Sequence, residues 1–504
     1  MTLADLLAAP GDGGGRDDVV VHLGDRSWTR GWAQDRAAAL AGALAEAGAG
    51  PGARVGVMLP DGPDVVAALF GVWGAGAAYV PLNPRLTDGE VAGVLASVGP
   101  AAVVTTDVHA DRFAGLPLVV VPSPDAAPEV RPGRSEAAAA GADDVALVQF
   151  TSGTTGRPKA VLLTHGGVSD LLDGVVRKLR TGGSATPGRA PMPNLVPVSL
   201  SLWAGLYNVL FAFTVGAPVV LLGPFAPAEF AAVVRRHGIR STVLPPAAMA
   251  ALTAAPEDEV GDLAPLRYVR SITAPLSPRQ ARAFRDRFGI AVMNSYGQTE
   301  IGGEIIGWSA ADAREHGEDK LGSIGRPHDG VTARVVDDAG GDTPPGEAGE
   351  LWVRTPALAA GYAGGADLSD RLSPDGWFRT GDVARIDAEG FVWIEGRLSD
   401  MVNRGGLKVF PAEVEEVLRA APEVADAAVV GVPDDRLGEV PWAFVVPAGA
   451  APLDTDRLAG HCRRHLAPYK VPVRFEVVGD LPRNEVGKVL KADLADRASR
   501  RPPS

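Results

Sequence analysis

Two long uncharged stretches set the first constraint on the fold: residues 65–82 and residues 190–228. By length alone each qualifies as a membrane-span candidate. Each is interrupted, one at Gly74-Ala75-Gly76 and the other at Gly216-Ala217-Pro218. Before each break the pattern suits a buried helix, and after it a short strand, at 77–80 and 219–222. Turn residues inside an apolar run argue for buried helix-then-strand units rather than for membrane spans. The two units share one order: apolar helix, Gly-Ala, apolar strand, then proline. They predict two similar α/β subdomains, each with a mainly parallel sheet, spanning about 1–165 and 166–310.

A chain of 504 residues exceeds what one compact core usually holds, so at least two domains are expected. From about 322 to 396 the texture changes to short strands and turns. Residues 331–336, 349–354 and 391–394 alternate as strands, with Pro344-Pro345-Gly346 turning between the first two. This reads as a small β-barrel, 311–396, completing a large N-terminal domain, 1–396. A smaller α+β C-terminal domain, 397–504, follows. It has helices at 411–420 and 454–466 and strands at 426–432 and 442–446, and it frays from residue 497.

Charge and cysteine content exclude several functions. A net charge of −13 disfavours nonspecific DNA or RNA binding, which needs phosphate-neutralising Lys and Arg. With Cys462 as the one cysteine, an intrachain disulfide, a CxxC redox pair and a Cys-rich zinc site are all ruled out. His461 and His465 stand one helical turn apart, but no HExxH glutamate accompanies them, so they read as helix surface. No GxSxG elbow occurs, which removes the main support for an α/β-hydrolase. The N-terminus lacks a basic region before an apolar run, so a cytoplasmic protein is expected.

The strongest chemical signal is Thr151-Ser152-Gly153-Thr154-Thr155-Gly156-Arg157-Pro158-Lys159, set between apolar strands at 145–150 and 160–163. Hydroxyl residues and glycines expose backbone N–H groups and side-chain donors with little bulk. Such a loop can fold around phosphate oxygens as a nest, and Arg157 and Lys159 add positive charge. It is not a Walker A loop, because the pattern differs and a strand follows where that motif has a helix.

This segment resembles the phosphate-loop signature of the adenylate-forming superfamily: acyl-CoA synthetases, luciferases and peptide-synthetase adenylation domains. Further segments resemble that superfamily's other signatures, in order. They are Asn294-Ser-Tyr-Gly-Gln-Thr-Glu300, Trp377-Phe-Arg-Thr-Gly-Asp382, Gly396-Arg-Leu-Ser-Asp400 with Asn403-Arg-Gly-Gly406 and Pro411-Ala-Glu-Val-Glu415, and Pro482-Arg-Asn-Glu-Val-Gly-Lys488. Gly76-Ala-Ala-Tyr-Val-Pro-Leu-Asn-Pro84 fits an early structural motif. The resemblance covers about 20–495.

The resemblance implies a role for each position. Tyr296 would stack on adenine, a flat apolar face meeting a flat base, with Thr273-Ala274-Pro275 lining the adenine edge and Asn294 and Gly297 among the nucleotide-binding residues. Thr299 would touch the α-phosphate, and Glu300 would hold Mg²⁺, a hard cation that takes oxygen ligands. Asp382 would accept hydrogen bonds from the ribose hydroxyls, with Arg397 beside it. Lys488 would offset the repulsion between carboxylate and α-phosphate in the transition state. Asp400 would be the hinge of the small domain, and the Gly405-Gly406 turn would face the thiol. The reaction implied is ATP-dependent acyl-AMP formation and acyl transfer to coenzyme A. The alternatives are transfer to a carrier-protein phosphopantetheine and, from another class, a silent adenylate-binding scaffold.

Two departures bear on the substrate. The segment 197–205 lacks the histidine that many acyl-CoA ligases have there, and the aspartate that amino-acid-activating relatives pair with an ammonium. Burying an ammonium without a counter-ion is costly, so an apolar, non-amino acid is expected. Leu202, Trp203, Tyr207 and Phe211 would suit it, and Gly302 and Gly303 would leave room for a bulky or cyclic group.

Overall fold

The two helix-then-strand units adopt the same local geometry. In the computed structural model the first runs from helix Pro63–Gly74 into strand Ala78–Pro81, and the second from helix Trp203–Thr214 into strand Val219–Leu221. At each break a glycine takes the left-handed conformation, Gly76 at φ +77° and Gly216 at φ +71°. The N–H of the following alanine then bonds back into the helix, Ala77 to Val72 O at 3.0 Å and Ala217 to Ala212 O at 2.8 Å. This C-cap closes the helix and reverses the chain into the strand. The structure describes residues 2–8, 15–132, 145–151, 159–181, 191–365, 367–449, 451–483 and 488–500. Among these, no helix is long and apolar enough to cross a membrane.

The first strand enters an eight-stranded sheet. Its order is Gly361–Tyr362, Lys159–Thr164, Val145–Thr151, Ala78–Pro81, Arg54–Met58, Ala102–Thr105, Leu118–Val120 and Glu129–Arg131. The second enters a four-stranded sheet with Asn194–Val196, Val19–Leu23 and Arg26–Thr29. The N-terminal hairpin thus belongs to the sheet of the second unit: Val21 lies opposite Val219 in parallel. A parallel three-stranded sheet, Ser241–Leu244, Tyr268–Ser271 and Ala291–Asn294, carries the chain towards the site.

The expected barrel takes the form of a four-stranded antiparallel sheet, Thr332–Val336, Ala348–Arg354, Phe378–Ile386 and Val392–Arg397. The sequence reading does not assign Phe378–Ile386. Its inward positions include Thr380 and Asp382, which break the apolar alternation that marks a strand. Thr380 is satisfied by donating to Leu351 O at 2.7 Å.

The C-terminal unit is a five-stranded sheet with helices Pro411–Arg419, Thr455–His465 and Lys491–Ser499. Its long hairpin, Val424–Asp434 and Gly438–Pro447, extends past the expected strand ends. The helix continues through Arg497 to Ser499, where fraying was expected, and Arg497 pairs with Glu476 at 2.6 Å; residues 501–504 lie outside the described residues. His461 is half-buried rather than surface, with its Nε2 3.0 Å from Val417 O and its ring 4.7 Å from that of His465. Among the described residues no cluster of three or more metal-ligating side chains exists.

Candidate active site

Three strands converge on one buried carboxylate. Asp382 is 3% exposed and stands opposite Arg397 across the antiparallel pair that both strands form. Tyr296, on the short strand Tyr296–Gln298, donates its hydroxyl to Asp382 Oδ2 at 2.6 Å. Gln298 Nε2 donates to the same oxygen at 2.8 Å, and Arg397 Nε lies 3.1 Å from Oδ1. Burial and then the Asp382 charge push the Tyr296 hydroxyl well above its ordinary pKa, so it stays protonated and donates. With that hydroxyl spent on Asp382, the ring faces are what Tyr296 offers a base. Sequence reasoning assigned no role to Gln298, although it lies inside the motif.

Glu300 sits in the one-turn segment Thr299–Ile301 and is 7% exposed. Its Oε1 accepts from Tyr362 Oη at 3.3 Å and lies 3.8 Å from Arg371 Nη1. Arg371 also donates to Thr380 O at 2.7 Å, tying Glu300 to the strand of Asp382. Lys159 Nζ stands 5.2 Å over the Tyr362 ring. Thr151 and Lys159 are paired across the antiparallel strands that flank the expected phosphate loop. Ser152, Gly153, Thr154, Thr155, Gly156 and Arg157 lie outside the described residues. Glu300 Oε2 makes no hydrogen bond among the described residues and the residue lines the cleft, so its free oxygen suits a hard cation.

The segment 273–275, expected at the adenine edge, carries backbone strain. Thr273 has φ +72°, an outlier for a β-branched residue, and lines the cleft with Ala274 and Pro275. Asn294 ends the strand beside it, and Thr299 and Gly297 line the same cleft. Gly297 is required there, because a Cβ would fall 1.7 Å from Gly303 O.

Lys488, from the C-terminal unit, also lines this cleft. Burial, and then the neighbouring Arg397, hold its pKa below the ordinary lysine value, while Asp400 and Asp382 act in the opposite sense. Asp400 ends the turn Leu398–Asp400 that joins the two parts. Gly405 and Gly406 form the two-residue turn of the hairpin Val402–Arg404 and Leu407–Val409, at φ +60° and +88°. That hairpin tip lies outside the cleft lining, and Lys408 beside it pairs with Asp338 of the large domain at 2.5 Å.

The fourth wall joins Leu202, Trp203 and Tyr207 to Gly303. Asp61 fixes the preceding segment by accepting from Leu200 N at 2.8 Å and Ser199 Oγ at 3.2 Å. Gly303, expected with Gly302 to leave room for substrate, lines the cleft, and both glycines are closely approached by protein atoms. A Cβ on Gly302 would meet Ala357 Cβ at 2.5 Å, and one on Gly303 would meet Trp203 Nε1 at 2.8 Å. These glycines let the chain pack closely, and Trp203 Nε1 donates to Gly302 O at 2.9 Å. The wall is also less apolar than the segment 197–205 implies. Arg270 and Glu304 line it as an ion pair at 3.4 Å, contributed by strands on either side. Neither was a candidate from sequence, because each sits just outside a recognised motif.

The profile of the AMP-binding enzyme family matches residues 12–363, and that of the AMP-binding enzyme C-terminal domain matches 413–488. The chain belongs to the AMP-binding enzyme family. Feruloyl-CoA synthase of Amycolatopsis sp is 36% identical over 450 residues, covering 88% of each chain. Among solved structures, amide bond synthetase McbA from Marinactinospora thermotolerans superimposes with a TM-score of 0.83 at 30% identity, covering 98% of this chain and 99% of that one. O-succinylbenzoate coenzyme A synthetase from Bacillus subtilis, in complex with ATP and magnesium ion, gives 0.82 at 26% identity, covering 98% and 99%. With its large N-terminal and smaller C-terminal domain, this family member has the mixed α/β fold of the adenylate-forming superfamily.

Proposed function

We propose an acid with an apolar body and no ammonium group as the substrate of this enzyme, an AMP-forming acid–coenzyme A ligase. The ligase class follows from the family and from relatives such as feruloyl-CoA synthase. One observation supports the site assignment above others: Tyr296, Asp382 and Arg397 of the large domain and Lys488 of the small one line a single cleft.

In the first step a carboxylate oxygen of the acid attacks the α-phosphorus of ATP, and pyrophosphate leaves. Tyr296 presents its ring to adenine, and Asp382 with Arg397 receives the ribose. Thr151, Lys159 and the loop between them hold phosphate oxygens, with Thr299 at the α-phosphate. Lys488 offsets the approach of two anions. Magnesium bound at Glu300 would supply charge neutralisation at the phosphates. In the second step the small domain, 397–504, turns about Asp400 and brings Gly405-Gly406 to the large domain, 1–396. The thiolate of coenzyme A then attacks the acyl carbon, and AMP leaves with the bonding pair. The cytoplasm is the proposed compartment.

The absence of an acidic residue from 197–205 supports a non-amino acid, and Glu304, the nearby carboxylate, is engaged by Arg270 and His328. The test is ATP- and coenzyme A-dependent thioester formation across fatty, aryl and polycyclic acids, read by mass spectrometry. Faster ATP–pyrophosphate exchange with proteinogenic amino acids than with any apolar acid would overturn the substrate assignment.

A further inference from the structure

Gln298 works in two directions at once. Its Nε2 amide reaches Asp382 Oδ2 at 2.8 Å, Tyr296 Oη at 3.0 Å and Thr380 O at 2.9 Å. Its Oε1 faces the other way and accepts from Arg371 Nη2 at 3.3 Å. Turned over, the amide would aim its oxygen at a carboxylate and a carbonyl, and its NH2 at a guanidinium. One orientation supplies Asp382 with a donor and the other repels it.

Arg371 is placed to enforce the first. It ends the turn Ser369–Arg371. Its Nε donates to Arg379 O at 2.9 Å and its Nη2 to Thr380 O at 2.7 Å, two successive carbonyls of the strand Phe378–Ile386. The guanidinium lies 4.5 Å over the Phe378 ring of the same strand. The strand that carries Asp382 therefore also fixes the cation that orients Gln298. A rigid planar fork makes these contacts together, which the point charge of a lysine cannot do. Nη1 lies 3.8 Å from Glu300 Oε1, beyond hydrogen-bond reach, so the contact with Gln298 is the closer one.

The result is a carboxylate set in place from both sides. Tyr296 and Gln298 hold Asp382 Oδ2, and Arg397 Nε lies 3.1 Å from Oδ1. We propose that Arg371 is a positioning residue for the nucleotide: by fixing the Gln298 amide it keeps Asp382 turned to accept the ribose hydroxyls, without itself touching the nucleotide. This rests on the reading that Asp382 receives the ribose.

The experiment measures, by calorimetry on the full chain, the binding of AMP and of its dideoxy analogue, which lacks both ribose hydroxyls. It needs no acid. The proteins are the wild type, Arg371→Met, Arg371→Lys, Gln298→Leu and the double variant Arg371→Met/Gln298→Leu, with melting curves to establish that each is folded. The wild type is expected to prefer AMP by about ten-fold or more, the scale of a hydrogen bond to a charged acceptor. In Arg371→Met and Arg371→Lys that ratio falls towards one through loss of AMP affinity, while affinity for the dideoxy analogue holds. In the Gln298→Leu background, Arg371→Met adds no further loss, as expected of two residues acting as one unit. A wild-type ratio near one removes Asp382 from the ribose, and the proposal falls with that reading. A wild-type preference that survives in folded Arg371→Met overturns the proposal alone. So does an equal loss of affinity for both nucleotides, a full additional loss in the Gln298→Leu background, or rescue by lysine.

Discussion

In the proposed mechanism one ammonium, that of Lys488, carries the chemistry of the first half reaction. Lys488→Ala is expected to slow acyl-AMP formation by at least about a hundred-fold, the scale set by losing one preorganised electrostatic contact. The same variant should still convert supplied acyl-AMP and coenzyme A to the thioester. Equal loss of both half reactions in a folded variant would exclude this role. The sign of the pH dependence follows from the lowered pKa. Burial and Arg397 favour the neutral amine, so the ammonium is lost on the alkaline side, below the ordinary lysine range. The kcat/KM of adenylation, which reports the free enzyme, should fall along that limb in the wild type. Glu300→Gln tests the other charged contact. It keeps the volume and the Tyr362 contact but removes the anion, so the magnesium concentration needed for half-maximal ATP turnover should rise about ten-fold or more.

The hairpin formed by Tyr296–Gln298 and Gly303–Gly307 carries the site at the scale of elements. Its strands approach so closely that Gly297 faces the Gly303 carbonyl without space for a methyl group. Gly297→Ala should cost about 3 kcal/mol, seen as a fall in Tm, because backbone rather than a flexible side chain must move. Tyr296 and Lys488, which both line the cleft, were picked out in the sequence because their segments resemble known signatures, while residues 152–158 lie outside the described residues. Arg270, Glu304 and Arg371 were not. Arg270 and Glu304 meet across strands distant in the chain, and Arg371 reaches Glu300 from the separate turn Ser369–Arg371, so no local pattern marks these contacts. The strand Phe378–Ile386 escaped for a related reason: its inward Thr380 and Asp382 are satisfied by tertiary hydrogen bonds, and polarity there reads as a loop.

Across the whole molecule, the cleft presents Lys488 while the Gly405-Gly406 tip lies outside its lining, the arrangement that the proposed first half reaction needs. Gly406→Leu should therefore spare adenylation and slow thioester formation, measured with supplied acyl-AMP. Loss of both halves would count against the alternating arrangement. The Lys408–Asp338 pair joins the domains at the surface, with side chains 45% and 85% exposed, so salt screens it and its worth is small. Asp338→Ala should shift the balance towards the second half reaction at low salt and make little difference at high salt. The N-terminal hairpin has a different consequence, for synthesis rather than catalysis. Val21 waits for Val219 before its sheet can form, and such long-range closure is slow. While the ribosome is still producing the first half of the chain, the strand Val19–Leu23 has no parallel partner. An apolar edge is thus exposed on the nascent protein until the second unit emerges, which makes this hairpin the place where a chaperone would be needed first.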